Sequence, residues 1–288
     1  MKLYPIQCGN FKLDGGAMFG VVPKSLWERT NPADSKNLIE LGTRSLLVED
    51  GKKLILIDCG LGNKQDEKFF GHYSLYGDES LDKNLKKFGF VREDITDVFL
   101  THLHFDHCGG AIEWNDDKSG YRPAFKNAQF WTNENHWQWA TEPNPREKAS
   151  FLKENILPMQ ESGQLQFLPT PKTGNYGFAP DLKMDVIFVD GHTEKQMLPV
   201  IQYQEKTIVF AADLIPTAGH IPQVYVMGYD TRPLLTMEEK GKFLKQCVEN
   251  EYLLFFEHDA HNELASLKMT EKGVKLDETF SFNEVFGY

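Results

Sequence analysis

The sequence lacks the features that mark membrane and secreted proteins. No apolar run approaches the roughly 20 residues that a membrane-spanning helix needs, and residues 1–10 lack the apolar core of a secretory signal. The four cysteines, Cys8, Cys59, Cys108 and Cys247, are far apart and form no CxxC pair. That spacing is typical of reduced thiols and not of a disulfide framework. We therefore expect a cytoplasmic protein with no membrane partner.

Positive charge is also scarce. The chain has 31 lysine and arginine residues against 42 aspartate and glutamate residues, which gives a net charge of -11 and a pI near 5.3. Proteins that bind nucleic acid usually present a basic face, so we expect no nucleic-acid partner. With 288 residues, 41% of them hydrophobic, the chain can form a single layered domain over residues 1–288.

Apolar patterns predict alternating strands and helices. A hairpin is expected around Asp50-Gly51, a strong turn signal between two β-rich runs. Further strands are predicted at 94–100, 128–132, 164–168, 184–189, 198–203, 207–212 and 252–256, and helices at 80–88 and 238–249. Residues 133–162 are interpreted as a helical insertion, whose nearby tryptophans either line a pocket or belong to the core.

The N-terminal region is harder to interpret. Residues 14–20 are rich in glycine and predict a loop, either a hairpin tip or a cover over a substrate pocket. Residues 21–26 contain Pro23 and are at best an edge strand.

The densest cluster of polar side chains is Thr-His-Leu-His-Phe-Asp-His-Cys-Gly-Gly at residues 101–110. Each imidazole needs partners for both nitrogens, and an ionised carboxylate resists burial unless it is paired or bound to a metal. A shared cation meets all of these demands, so the motif predicts a metal site. We interpret Cys108 as a small buried residue, and Gly109 and Gly110 as positions where the backbone turns away beneath the ions.

Three more predicted strands end in possible metal ligands. His192 follows 184–189, Asp213 follows 207–212, and His258 follows 252–256. Residues past the carboxyl ends of strands can meet along one edge of a sheet, so we expect all of these side chains to surround shared ions. Asp58 follows the strand at 53–57, and it either caps the turn or orients a ligand histidine through a hydrogen bond.

The order and spacing of these residues resemble the metallo-β-lactamase superfamily along nearly the whole chain. The resemblance implies an α/β (α+β) fold, an αββα sandwich of two mixed β-sheets flanked by helices. It assigns His102, His104 and His192 to one metal, Asp106, His107 and His258 to a second, and Asp213 to a bridging position. These ligand types fit two Zn²⁺ ions, with Fe, Mn and Co as alternatives.

Two cations that share a water lower its pKa from about 15.7 towards 7. We therefore expect a bridging hydroxide as the nucleophile, with Asp106 and Asp213 as catalytic carboxylates. The chain is most similar to the branch of N-acyl homoserine lactonases and organophosphate hydrolases, through its length, its N-terminal Met18-Phe19 segment and its complete Asp106-His107 pair. That similarity implies a quorum-quenching lactonase that acts on N-acyl homoserine lactones, and a possible homodimer.

The substrate pocket is the least determined part of the prediction. Met18, Phe19 and Trp27 are candidates for an apolar channel that holds an acyl chain. Some lactonases carry a tyrosine three residues after the bridging aspartate to steady the substrate carbonyl, but this chain has Pro216 there. His220 is a candidate for that role, as are Tyr225 and Thr217.

Other functions remain open at this point. Hydrolysis of aryl esters or phosphotriesters is the alternative within the superfamily. An alternative of another class is a metal-stabilised protein that binds a small ligand without turnover, although the complete ligand set argues against it.

Overall fold

The computed structural model describes residues 1–287, which form two large β-sheets packed face to face, a separate two-stranded sheet, and helices on the outer surfaces. The strands are β1 (Lys2–Asp14), β2 (Leu38–Asp50), β3 (Lys53–Ile57), β4 (Asp97–Phe99), β5 (Ile112–Trp114), β6 (Tyr121–Pro123), β7 (Gln129–Asn133), β8 (Leu165–Leu168), β9 (Tyr176–Ala179), β10 (Met184–Val189), β11 (Gln196–Tyr203), β12 (Lys206–Phe210), β13 (Leu253–Phe255), β14 (Leu264–Thr270) and β15 (Gly273–Phe280). The helices are α1 (Gly15–Phe19), α2 (Lys24–Trp27), α3 (Glu67–Gly71), α4 (Leu81–Lys87), α5 (Phe105–Cys108), α6 (Glu134–Thr141), α7 (Lys153–Glu161), α8 (Pro233–Glu249) and α9 (Phe282–Phe286). The αββα sandwich implied by the family resemblance is confirmed.

Both large sheets are mixed. The first has six strands in the order β1-β2-β3-β4-β7-β8, and the second has seven in the order β15-β14-β13-β12-β11-β10-β9. Strands β3, β4, β7 and β8 run parallel in the first sheet, as do β12 and β13 in the second. None of the helices within residues 1–287 has the length and apolar character required to cross a membrane.

Strand β3 shows how the sandwich forms its two apolar layers. Successive side chains of a strand point to opposite faces. Ile55 and Ile57 pack in the core between the sheets, whereas Leu54 and Leu56 pack under the helices that include α4 and α7. Burying an aliphatic side chain of this size contributes about 1.5–3 kcal/mol to stability. A strand that is apolar on both faces therefore stabilises the contact with the second sheet on one side and with the helices on the other.

The predicted hairpin corresponds to β2 and β3, which pair in antiparallel register on either side of Asp50-Gly51. The predicted helices at 80–88 and 238–249 correspond to α4 and to the longer α8, and the insertion at 133–162 contains α6 and α7. The sequence interpretation did not find β14 and β15, which form a hairpin at one edge of the second sheet.

The loop predicted at residues 14–20 is wrong for most of its length. Asp14 ends β1 and caps α1, because its side-chain oxygen accepts a hydrogen bond from the Ala17 backbone N–H at 2.8 Å. A Cβ atom at Gly15 would lie 2.3 Å from the Trp27 ring, so this glycine allows close packing and does not mark a loop. The edge strand predicted at residues 21–26 is also wrong, because the short helix α2 starts directly after Pro23.

Candidate metal centre and its pocket

The predicted metal ligands come together where strands of both sheets end. The first sheet delivers the motif after β4, with Asp106 and His107 on the short helix α5. The second sheet delivers His192 after β10, Asp213 after β12 and His258 after β13. The expectation that one sheet edge collects all of the ligands is therefore wrong. The ligands meet between the carboxyl ends of strands from two facing sheets.

The ligand atoms form two groups that Asp213 joins. In the first group, His104 Nδ1 lies 3.1 Å from His102 Nε2 and 3.2 Å from His192 Nε2. In the second group, His258 Nε2 lies 3.1 Å from His107 Nε2 and 3.7 Å from Asp106 Oδ2.

The two carboxylate oxygens of Asp213 point to different groups. Oδ2 is 3.2 Å from His192 Nε2, and Oδ1 is 3.0 Å from His258 Nε2. This is the geometry of a bridging ligand. The backbone just before it is unusual, since Ala212 has a φ of +41°, in the left-handed region that alanine rarely adopts.

The donors in these groups fit metal ions better than they fit one another. Imidazole nitrogens face each other at 3.1–3.2 Å, although two such nitrogens can share only one proton. Asp213 Oδ1 is buried and makes no hydrogen bond of acceptable geometry with any of the described residues, 1–287. Buried acceptors without donors are costly unless a cation satisfies them. These histidine and aspartate side chains therefore form a candidate dinuclear metal site, whose geometry does not identify the metal.

Each ligand imidazole is also held from behind by an oxygen at its other nitrogen. The pairs are His102 Nδ1 with Thr101 Oγ1 at 3.1 Å, His104 Nε2 with Glu147 Oε1 at 3.4 Å, His107 Nδ1 with Asp58 Oδ2 at 3.0 Å, His192 Nδ1 with Asp230 Oδ1 at 2.9 Å, and His258 Nδ1 with the Gly42 carbonyl at 2.9 Å. Such contacts fix the orientation of each ring and direct the remaining nitrogen to the metal position.

Asp58 lies where it can orient a ligand histidine, which is the second of the two roles considered for it from the sequence. Strands β3 and β4 are parallel neighbours, so the residue after β3 lies beside the start of the motif. Asp58 accepts hydrogen bonds from the Thr101 backbone N–H at 2.8 Å and from the Thr101 hydroxyl at 2.6 Å, and its Oδ2 also faces His107. Glu257 approaches the same His107 nitrogen at 2.9 Å, and burial raises the pKa of the Glu257 carboxyl.

We expect Asp58→Asn to weaken metal binding by about 10–100-fold, the usual cost of losing a partner of a ligand histidine. Asparagine tolerates the φ of +55° at this position, so the backbone is kept. The amide nitrogen, however, cannot accept a hydrogen bond from His107. Competition with a chromophoric chelator measures the affinity. Asp277→Asn, at an exposed position of β15, is the control, and equal affinities of the two variants would rule out this role for Asp58.

Burial and charge set the protonation states of the ligands. Burial, together with the His107 and His104 rings, lowers the pKa of His102 well below its usual value. Burial opposes the charge of Asp213, but the His258, His107 and His192 rings outweigh it and hold that carboxyl pKa well below its usual value. These shifts favour the neutral form of His102 and the ionised form of Asp213, the forms that bind a metal.

A cavity of about 340 Å³ opens onto the candidate metal site. Its apolar wall is formed by Phe11, Leu13, Met18, Leu41, Phe105 and Met227, and its polar residues beyond the metal ligands include Tyr73, Arg146, Glu147, Ser150 and Tyr229. Of the four residues that the sequence suggested for the substrate pocket, only Met18 lines this cavity.

Phe19, Trp27 and His220 lie behind the cavity wall instead. The three rings form one stack, with centroid distances of 5.4 Å between Trp27 and Phe19 and 4.0 Å between Phe19 and His220. All three side chains are buried, and the two His220 nitrogens contact the Thr217 hydroxyl and the Met18 carbonyl. Neither His220 nor Thr217 can therefore reach a substrate, and the stack instead supports Met18 from below.

No sequence pattern indicated that Tyr73, Arg146 or Tyr229 would line the cavity. These residues come from irregular segments after α3, between α6 and α7, and before α8, where no spacing indicates which side chains converge. Glu147 was missed for the same reason. The predicted tryptophans do not line the cavity, although Trp139 donates a hydrogen bond of 2.6 Å to Glu147 and so acts on the site indirectly.

Comparison with known proteins agrees with this geometry. Residues 38–258 match the Metallo-beta-lactamase superfamily. An N-acyl homoserine lactonase of Bacillus cereus is 22% identical over 275 residues, which cover 91% of this chain and 94% of the relative.

Solved structures show the same likeness. A Staphylococcus aureus protein described as a "probable metal-dependent hydrolase" is 27% identical, with a TM-score of 0.85 and coverage of 97% of this chain and 96% of that one. A dizinc quorum-quenching lactonase with a bound product has a TM-score of 0.76 at 22% identity, with coverage of 97% and 95%. Because the family match spans most of the chain and contains every predicted metal ligand, this protein belongs to the metallo-β-lactamase superfamily and is a hydrolase of it.

Proposed function

We propose that this protein is a dinuclear metal-dependent hydrolase that opens lactones, with N-acyl homoserine lactones as its substrates. One observation carries the proposal: two ligand groups joined by Asp213 lie against a cavity whose other wall is largely apolar. A carbonyl group can approach the metal site while an acyl chain contacts the apolar wall. The named activities of the relatives in Bacillus support the same choice.

The residues around the candidate metal site have separate roles in the proposed hydrolysis. Two divalent cations, Zn²⁺ or alternatively Fe, Mn or Co, would supply hydroxide at neutral pH and polarise the scissile carbonyl. Asp213 and the five histidines, together with Asp106, are the residues that would hold these cations. Asp106 faces the cavity, where its carboxylate can accept the proton of the attacking water and pass it to the leaving alkoxide. The apolar wall excludes water around these charges, which strengthens their interactions.

Tyr229 is proposed to orient the substrate carbonyl, the role that some lactonases give to a tyrosine three residues after the bridging aspartate, where this chain has Pro216. Its ring lines the cavity, and within residues 1–287 its hydroxyl makes no hydrogen bond. Partial burial of the 41% exposed Tyr229, together with the charges of Asp14 and Asp106, raises its pKa to about 12, so the phenol keeps the proton that it would donate. Tyr73 lies on the same cavity and is the second phenol available there.

We expect Tyr229→Phe to lower kcat by about 10²-fold, the effect of removing one donor to a developing oxyanion. Metal content should not change, because Tyr229 contacts no ligand. Steady-state kinetics with a lactone substrate measures the effect. Tyr225→Phe is the matched control, since Tyr225 packs edge-on against Phe19 and does not line the cavity. A larger loss in the Tyr225 variant would overturn the assignment.

A substrate panel on zinc-reconstituted protein tests the proposed function directly. The panel contains N-acyl homoserine lactones, aryl esters, phosphotriesters and phosphodiesters. We expect the highest kcat/KM with the acyl homoserine lactones and complete loss of activity on chelation. A preference for aryl esters or phosphotriesters would favour the alternative activity of the same site, and binding without turnover of any substrate would favour a ligand-binding protein.

A further inference from the structure

Arg146 is an exposed cation on the cavity wall, and no carboxylate within residues 1–287 pairs with it. It lies in the segment between α6 and α7 and lines the cavity beside the metal ligands. Its Nη2 donates hydrogen bonds to the backbone carbonyls of Gly228 and Asp230, the latter at 3.2 Å. Within residues 1–287, its Nε and Nη1 atoms make no hydrogen bond, and no carboxylate lies within ion-pair distance. Three N–H groups are thus left over in a chain whose net charge is -11.

The segment that carries Arg146 and the segment that its guanidinium contacts are both anchored at the candidate metal site. On its own segment, the neighbouring Glu147 contacts His104 and is anchored by Trp139 and by Asn144, each at 2.6 Å. On the opposite segment, Asp230 accepts the Arg146 hydrogen bond at its carbonyl and contacts His192 through its side chain. Arg146 is therefore tied to residues that also orient two ligands of the first metal group.

This position suits recognition of an oxygen on a bound molecule. A planar guanidinium with free N–H groups in a fixed orientation binds an amide carbonyl or a carboxylate, the latter through two parallel hydrogen bonds. The cavity wall also contains Glu147, Ser150 and two tyrosines, but within residues 1–287 no side chain accepts a hydrogen bond from the Arg146 guanidinium.

We propose that Arg146 selects substrates that carry a second acceptor oxygen, an amide carbonyl or a carboxylate, close to the ester bond that is hydrolysed. The proposal rests on the proposed function in taking that ester to be a lactone. An N-acyl homoserine lactone has such an oxygen in its amide, whereas a γ-alkyl lactone has none. Arg146 then acts as a specificity residue, and its contribution depends on which of these substrates is bound.

The test compares three lactones on zinc-loaded full-length protein: N-hexanoyl homoserine lactone, γ-decalactone, and a γ-lactone with a carboxylate in place of the acylamide. We expect Arg146→Met to raise KM for the amide lactone, the carboxylate lactone or both by about tenfold or more. The KM for γ-decalactone should change by less than about twofold, because this lactone offers no second acceptor oxygen. The lactone whose KM rises shows which oxygen, the amide carbonyl or the carboxylate, binds Arg146. Arg146→Lys should recover part of the loss, and Arg29→Met, at an exposed position, should have no effect.

The outcomes separate this inference from the proposed function. An equal loss on all three lactones would show that Arg146 only clamps the two segments together, and it would overturn the inference while lactone hydrolysis stands. If aryl esters are hydrolysed but no lactone is, the proposed function is wrong. The test of Arg146 then uses 4-nitrophenyl butyrate and 4-nitrophenyl succinate in place of the lactones. The inference then requires that Arg146→Met selectively impairs the succinate. Failure to hydrolyse either class would overturn both proposals.

Protein integrity is measured in parallel. Thermal unfolding and zinc content establish whether each variant keeps its fold and its metal site. If Arg146→Met is unstable, the Arg146→Lys variant carries the test, because lysine keeps the charge but loses the planar pair of donors. A lysine variant that matches the wild type on every substrate would then contradict the inference.

Discussion

Asp213→Asn is expected to lower kcat/KM by about a thousandfold or more, at the upper end of losses seen when one electrostatic stabiliser is removed. The reason is geometric. The two carboxylate oxygens of Asp213 face different ligand groups, at 3.2 Å from His192 Nε2 and 3.0 Å from His258 Nε2. Asparagine keeps the shape but supplies only one oxygen, and its NH2 group would direct donors at one of the two groups. At least one metal position should therefore weaken together with the activity.

Elemental analysis and steady-state kinetics on the same preparation measure both effects. Asp185→Asn is the matched control, since Asp185 lies at an exposed position of β10 in the same sheet. We expect that variant to keep wild-type metal content and activity. An Asp213→Asn protein that holds two metals per chain and turns over at a near wild-type rate would show that Asp213 does not bridge the two positions.

Gly109→Ala is expected to destabilise the fold by about 3 kcal/mol, the upper part of the range for overpacking a buried position. A Cβ atom at Gly109 would lie 2.1 Å from the Leu61 carbonyl oxygen, and one at Gly110 would lie 2.1 Å from the Cys59 carbonyl oxygen. The motif and the segment after Asp58 are thus in backbone contact. Separating them would also draw Asp58 away from His107, so metal affinity should fall as well.

Urea unfolding of the metal-free protein measures the change in stability. Gly71→Ala is the control, because a Cβ at that position in α3 meets no atom within 4 Å. Alanine is the better helix former by up to about 1 kcal/mol, so this variant should be neutral or slightly more stable. A Gly109→Ala protein as stable as Gly71→Ala would contradict the close approach of the two segments.

The two glycines of the motif show where the sequence interpretation failed. Gly109 has ordinary helical angles, φ −58° and ψ −39°, so it is not needed for an unusual turn beneath the ions. Its missing side chain instead makes room for residues 59–61, which are nearly 50 positions earlier in the chain. A pattern of neighbouring residues contains no information on such a contact.

The sequence by itself determined the set of candidate ligands, and the resemblance of their order and spacing to the metallo-β-lactamase superfamily determined the fold class. Histidine and aspartate residues crowded into the motif, and single acceptors placed directly after apolar strands, are local signals whose chemistry has few explanations. Asp58 could be predicted for the same reason, because it also follows a strand. The single domain, the homodimer and the cytoplasmic location stay predictions.

Only the tertiary structure decided which side chains face the substrate. Phe19, Trp27 and His220 look like pocket residues in sequence, but they stack on one another behind Met18. Tyr229 and Arg146 carry no sequence signal, yet they line the cavity. The physical reason is that a metal ligand must lie close to other ligands and is marked by its chemistry, whereas a pocket wall is assembled from loops whose directions depend on long-range packing.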